Sequence, residues 1–243
     1  MFNQSFFSLA LIPVISFGSV SSEINTPSSQ NSQVIAQLTT RAIPFWQTRP
    51  RKRNISRSPR TSVVCAIAPG LLETYQVWSD RPLFLWHSQG KNENLQLILR
   101  DYETQEEVWT QKVNIADQKV SYSGKEALKP GKRYQWQLAG SQTWATFQIM
   151  PADQREQIQA DLQALEQKLK VNKASSEEIA LKKADYFRNY EIKHKEEKGI
   201  FHPWSDALQT LYTVENPSPA FVKERETYIA NLCTDSTATN SQK

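Results

Sequence analysis

The sequence predicts an α+β protein, an antiparallel β-sandwich followed by a small α-helical region, and three observations carry that prediction. Between Val63 and Ile149, short runs that alternate apolar and polar residues are separated by turn residues, the pattern of half-buried strands. At Pro151 the apolar period changes from two to about 3.6, the spacing of amphipathic helices. Before residue 63 neither period is sustained, and Ser, Asn, Gln, Thr, Pro and Arg dominate. The organisation that follows is a signal peptide over 1–22, a disordered basic linker over 23–62, the sandwich over 63–150, the helical region over 151–232 and a flexible tail over 233–243.

Phe6 to Val20 forms an apolar run of signal-peptide length, followed by the small residues Ser21 and Ser22. It carries no Lys or Arg before it, so a retained anchor and a buried N-terminal segment remain alternatives to cleavage. The basicity of the chain is local. Residues 1–62 hold seven Lys/Arg and one acid, leaving 22 basic and 24 acidic residues beyond them, so a duplex-binding surface over the folded part is not expected. Arg49, Arg51, Lys52, Arg53, Arg57 and Arg60 place six cations within twelve residues, broken by Pro50 and Pro59. Two readings stand: a solvated, self-repelling tether, and an electrostatic arm for an anionic polymer or membrane surface.

The expected strands are 63–66, 83–87, 95–100, 108–113, 119–122, 134–138 and 143–149. Leu83-Phe84-Leu85-Trp86 is apolar on both faces, as a central strand would be, and Trp86 is expected to pack on Trp136. Pro130 presets φ for a turn and Gly131 tolerates the positive φ that follows in a type II turn; Tyr134, Trp136 and Leu138 then alternate with Gln135 and Gln137. Leu128, Pro130-Gly131 and Tyr134 resemble the tyrosine corner of immunoglobulin and fibronectin type III sandwiches. Trp136 stands where disulfide-bonded immunoglobulin domains carry a cysteine, which is the fibronectin-like version. Ala139-Gly140-Ser141-Gln142 supplies a compact hairpin before the last strand.

Four helices are expected after Pro151. The first has the capping-box spacing Asp153/Glu156 and an apolar stripe of Ile158, Leu162, Leu165 and Leu169. The second starts at Ser175 with Glu178 and presents Ala180, Ala184 and Phe187 on one face; the third runs from Pro203 through Leu211. The fourth opens with Ser218 at the N-cap and Pro219 at the first helical position. Paired short helices of this kind resemble tetratricopeptide-type hairpins, although no 34-residue repeat is visible.

Several segments in order resemble an exported cyanobacterial family of unknown function, over roughly residues 48–232. They are a basic, proline-containing segment leading to Cys65, Ser79-Asp80-Arg81-Pro82-Leu83-Phe84-Leu85-Trp86, Leu99-Arg100-Asp101 followed by Glu107-Val108, Gly131-Lys132-Arg133-Tyr134-Gln135-Trp136, and Gly199-Ile200-Phe201 leading into Asp206-Ala207-Leu208-Gln209-Thr210-Leu211. The resemblance implies a secreted sandwich followed by helices and brings no catalytic residue with it. The basic segment lacks that family's usual glycines. Where the family carries a cysteine after the strand ending at Leu138, this chain has Ala139-Gly140-Ser141, which removes the partner expected for Cys65 and leaves Cys233 at best a substitute.

The residues themselves leave the two cysteines open: one bridge from the start of the sandwich to the last helix, or two buried thiols. No CxxC or Cys/His spacing suggests a metal, and no GxSxG, HExxH or Gly-rich loop suggests catalysis or a cofactor; His87, His194 and His202 are scattered. The seven tryptophans stand out. Trp109 and Trp144 could project from the sandwich and stack on a sugar or peptide, unless the helical region covers them. The expectation is an exported, non-enzymatic interaction or scaffold module, periplasmic, envelope-bound or extracellular, with no catalytic, metal or cofactor residues. Its partner is a protein or an anionic envelope polymer, and the alternative is a carbohydrate-binding module using Trp109 and Trp144.

Overall fold

The computed structural model describes residues 44–50, 64–70, 75–88, 93–141, 144–193 and 200–234. Within them the chain has mixed α+β content. The strands are β1 Val64–Ala68, β2 Gln76–Val77, β3 Leu83–Ser88, β4 Asn94–Asp101, β5 Glu107–Asn114, β6 Lys119–Ser121, β7 Arg133–Leu138, β8 Ala145–Ile149, β9 Ile192–Lys193 and β10 Ile200–Phe201. The helices are α1 Ala152–Val171, α2 Ser176–Asn189, α3 Trp204–Thr210 and α4 Pro219–Thr234. One sheet has the order β1-β3-β6, a larger one β2-β8-β7-β4-β5, and β9 and β10 pair by themselves. All pairings are antiparallel except β2 with β8.

The two-sided apolar strand explains the layering. β3 is central in its sheet, and it sends Phe84 and Trp86 into the space between the two larger sheets, among Leu97, Leu99, Trp136 and Phe147. Its other face, Leu83 and Leu85, joins Ile67 and Ala68 of β1 against the helices. Each buried indole finds an acceptor: Trp86 Nε1 donates to Ile115 O at 2.8 Å and Trp136 Nε1 to Pro69 O at 2.9 Å. Trp86 and Trp136 lie in the same inter-sheet core, where Phe84, two residues before Trp86 on the same face of the strand, meets the Trp136 ring with centroids 5.2 Å apart.

The Pro130-Gly131 turn closes with Lys132 N–H donating to Lys129 O at 3.2 Å, and Gly131 has φ +76°. The Lys129 N–H then donates to Tyr134 Oη at 2.9 Å, so the phenol is tied to the backbone of its own corner.

The helices start where caps allow. Ser175 Oγ accepts from Glu178 N–H and Ser218 Oγ from Phe221 N–H, both at 3.2 Å. The Asp153/Glu156 capping box does not form. Helix α1 already begins at Ala152, after Pro151, so Asp153 sits inside the first turn and has no cap geometry to adopt. Helices α1 and α2 run antiparallel, joined by Tyr186 Oη donating to Asp161 at 2.7 Å and by an ion pair between Lys183 and Glu166.

Three boundaries need correction. Residues 44–50 were expected in the disordered linker, yet Phe45 is buried beside Trp204 and Tyr228, because a turn at Phe45–Gln47 inserts an aromatic pair into the helical core. Cys233 and Thr234, expected in the tail, belong to α4. Sandwich and helices also share one core, since β1 and β3 bury side chains with all four helices. The expected signal peptide, the remainder of the linker and the tail beyond Thr234 lie outside the described residues.

Candidate functional site

The joint between sandwich and helices gathers the most concentrated polar chemistry in the fold. Asp206, fully buried near the start of α3, accepts the N–H of Trp78 at 2.8 Å and of Ser79 at 2.9 Å. Burial pushes its carboxyl from 3.8 up to about 7, against the two backbone donors and the charge of Arg155. Gln209, one turn later, accepts from Leu83 N–H at 2.9 Å and donates to Ser79 Oγ and Arg81 O. From α1, Arg155 pairs with Asp80 at 2.6 Å and donates to Trp78 O, while Trp78 Nε1 donates back to Arg155 O. Two sequence segments more than a hundred residues apart thus fit each other group for group. The polar atoms are spent on one another, so the cluster is a structural clasp, and burial here has no open face for a substrate.

A second arrangement does open to solvent. The turn at Phe45–Gln47 lies against α4, and between them runs a groove of about 430 Å³. Phe45 anchors the turn, and Tyr228 Oη donates to Thr48 O at 2.8 Å while Arg188 donates to Thr48 Oγ1 at 3.1 Å. Trp46 is half-buried and held edge-on by Phe45, Phe221 and Tyr228 at centroid distances of 5.5, 5.6 and 5.8 Å. It lines one side of the groove with Arg49; Lys223, Glu224, Thr227 and Asn231 line the other. Spacings of four residues put Lys223, Thr227 and Asn231 on one stripe of α4. The far end of α4 is fixed by a disulfide between Cys233 and Cys65 of β1, with Cα atoms 6.2 Å apart.

Of the six cations in the basic run, Arg49 thus lines a groove, while Arg51, Lys52, Arg53, Arg57 and Arg60 lie outside the described residues. Trp109 and Trp144 do not form a stacking row. Trp109 pairs with Leu99 and turns inward, stacked on Phe84 with centroids 5.8 Å apart and edge-on to Tyr122 at 5.3 Å. Trp144 adjoins Ala145, which is buried, and lies instead under the Arg100 guanidinium, 3.6 Å from its ring centre. Nor do the helices cover either ring: they pack on the opposite sheet, through Leu83 and Leu85. Tyr134, Trp136, Trp86, Pro130 and Gly131 sit in the corner and inter-sheet core described above. Trp46 is a site residue that the sequence pattern does not reveal. The one signal for it is Phe45-Trp46, an aromatic pair inside a stretch otherwise rich in polar residues.

Among the described residues no cluster of three His, Cys, Asp or Glu side chains is placed to hold a metal, and no helix is long and apolar enough to cross a membrane. Comparison of the chain with protein-family models, curated proteins and solved structures finds no match.

Proposed function

We propose that the protein is an exported, non-enzymatic interaction or scaffold module of the cell envelope that engages an anionic envelope polymer through its basic run and the groove beside it. The observation that carries this reading is the placement of Arg49: it lines the groove and stands at the head of a run that adds five more cations by Arg60. A groove lined by Arg49, the first cation of a run that continues in the sequence, suits an extended anionic partner that can seat one unit in the recess. Export is supported by the apolar stretch Phe6 to Val20 and by the use of both cysteines in one crosslink between β1 and α4, the kind of bond that persists in oxidising compartments. The resemblance to an exported cyanobacterial family agrees with that placement. A sandwich of immunoglobulin or fibronectin type III character is supported by the phenol-to-backbone bond of Tyr134, and a tetratricopeptide-like hairpin by the antiparallel pair α1 and α2.

The test is co-sedimentation of the full chain with envelope fragments across a salt gradient, beside a variant lacking residues 51–60. The deletion begins at 51 because residues 44–50 are part of the fold. Binding should weaken steeply as the Debye length falls from about 10 Å at 0.1 M to about 3 Å at 1 M, and the deletion should weaken retention at unchanged melting temperature. Equal retention of the deletion variant at every salt concentration would reduce the run to a solubilising tether.

A further inference from the structure

We propose that the groove between residues 44–50 and α4 binds an acidic sugar unit of a polysaccharide, stacked on Trp46 with its carboxylate between Arg49 and Lys223. The inference deepens the polymer-binding reading and rests on it. Trp46 is held by edge contacts from three aromatic rings, so its indole is a fixed platform, yet it remains part of the groove wall. An indole held in place in a groove wall can pack on the C–H side of a pyranose ring at little entropic cost. A recess of about 430 Å³ falls within the range of small-ligand sites and accepts a short saccharide.

The polar groups select among ligands. Arg49 and Lys223 supply two cations from opposite walls, which a carboxylate complements. Thr227 continues the Lys223 stripe with a hydroxyl suited to sugar hydroxyls. Glu224 stands in the same groove. It accepts hydrogen bonds from sugar hydroxyls. The combination fits a polymer carrying carboxylates on hydroxyl-rich rings. A bilayer surface is disfavoured by the same geometry, because a flat array of headgroups cannot enter a recess whose wall carries an acid.

Titration calorimetry of the full chain against oligogalacturonate, a neutral dextran oligomer and vesicles containing anionic phosphatidylglycerol tests this. Oligogalacturonate should bind, and dextran should bind at least tenfold more weakly. Lys223→Glu changes an exposed side chain and should weaken oligogalacturonate binding by about tenfold or more through loss of a charge-assisted contact. Trp46→Ala should do the same, with its melting temperature measured alongside; Thr227→Lys, which fills the groove while adding a cation, keeps the result interpretable if the tryptophan variant unfolds. It should weaken binding despite its charge. The variant lacking residues 51–60 should still bind the short oligomer, although its hold on the long polymer weakens. Wild-type affinity in Lys223→Glu and Thr227→Lys, or binding to vesicles alone, overturns the groove assignment. Loss of all polymer binding on deleting 51–60, short oligomer included, would leave the run as the sole contact and overturn it as well. Absence of binding to any anionic polymer by the wild-type chain would instead remove the function on which it rests.

Discussion

Asp206 is a buried acid whose surroundings favour opposite protonation states, and that conflict has a measurable consequence. Burial raises its folded-state pKa to about 7 from 3.8. The group therefore contributes stability that is fully present below about pH 4 and is lost as pH rises through 7. Glu166 behaves in the opposite sense: Lys170 and Lys183 hold it down at about 2, so its contribution is present above about pH 4.5 and is lost as pH falls through 2. The two windows barely overlap, so they separate in urea-unfolding midpoints taken from about pH 3 to about pH 8. Asp206→Asn should flatten the rise on acidification between about pH 7 and pH 4. Below about pH 4 it should also lower stability, by about 1 to 3 kcal/mol, because an amide turns a donor toward the Trp78 or Ser79 N–H, and that deficit should shrink as pH rises through 7 and the wild-type carboxyl ionises. An unchanged pH slope in that variant would assign the titration to another group. At the corner, Tyr134→Phe removes the acceptor of Lys129 N–H and should cost about 1 kcal/mol with little change in shape, read from the denaturant midpoint. A midpoint equal to wild type would mean that water replaces the phenol without loss.

Helix α4 is held at both ends by elements distant in sequence. Its aromatic side chains clasp the turn at Phe45–Gln47, and Cys233 is bonded to Cys65 across 168 residues of chain. Reduction, or Cys65→Ser, should lower stability by about 2 to 4 kcal/mol through the loop entropy returned to the unfolded chain. Thermal melts with and without reductant measure it, and two titratable thiols in the native protein would refute the bridge. Elements with local periodicity are legible in the sequence itself: Tyr134-Gln135-Trp136-Gln137-Leu138 announces its inward face, and Ile158, Leu162 and Leu165 announce theirs. Elements defined by distant partners are not. Gln76–Val77 is too short to show alternation and becomes a strand only because β8 lies parallel beside it. Phe45 and Trp46 carry no period, and their burial is decided by α2, α3 and α4. For the site, charge is readable along the chain, since Arg49 belongs to a run visible in the sequence, while the concavity that gives it a binding role needs Lys223 and Asn231 brought alongside.

At the scale of the whole molecule, the sequence pattern suggests two units joined at Pro151, and the packing argues that they unfold as one. Ile67, Leu83 and Leu85 on the outer face of the small sheet are almost completely buried, and what buries them is the helical layer. A fragment ending at residue 150 would expose that face as a contiguous apolar patch, on a three-stranded sheet with a short edge strand in β6. Conversely, α3 without the sandwich would lose the Trp78, Ser79 and Leu83 N–H donors that Asp206 and Gln209 accept from, and with them the bonds that fix its position. Coupling through a shared core, a polar clasp and a disulfide should make calorimetric unfolding a single transition, with calorimetric and van't Hoff enthalpies equal within error. Protein reduced and carrying Cys65→Ser should keep one transition at lower temperature, because the core and clasp remain. Fragment 64–150 should bind a hydrophobic dye and melt without cooperativity. Two resolved transitions in the intact chain, or a cooperatively folded fragment, would show that the seam at Pro151 is a true domain boundary and that the shared core contributes little to holding the halves together.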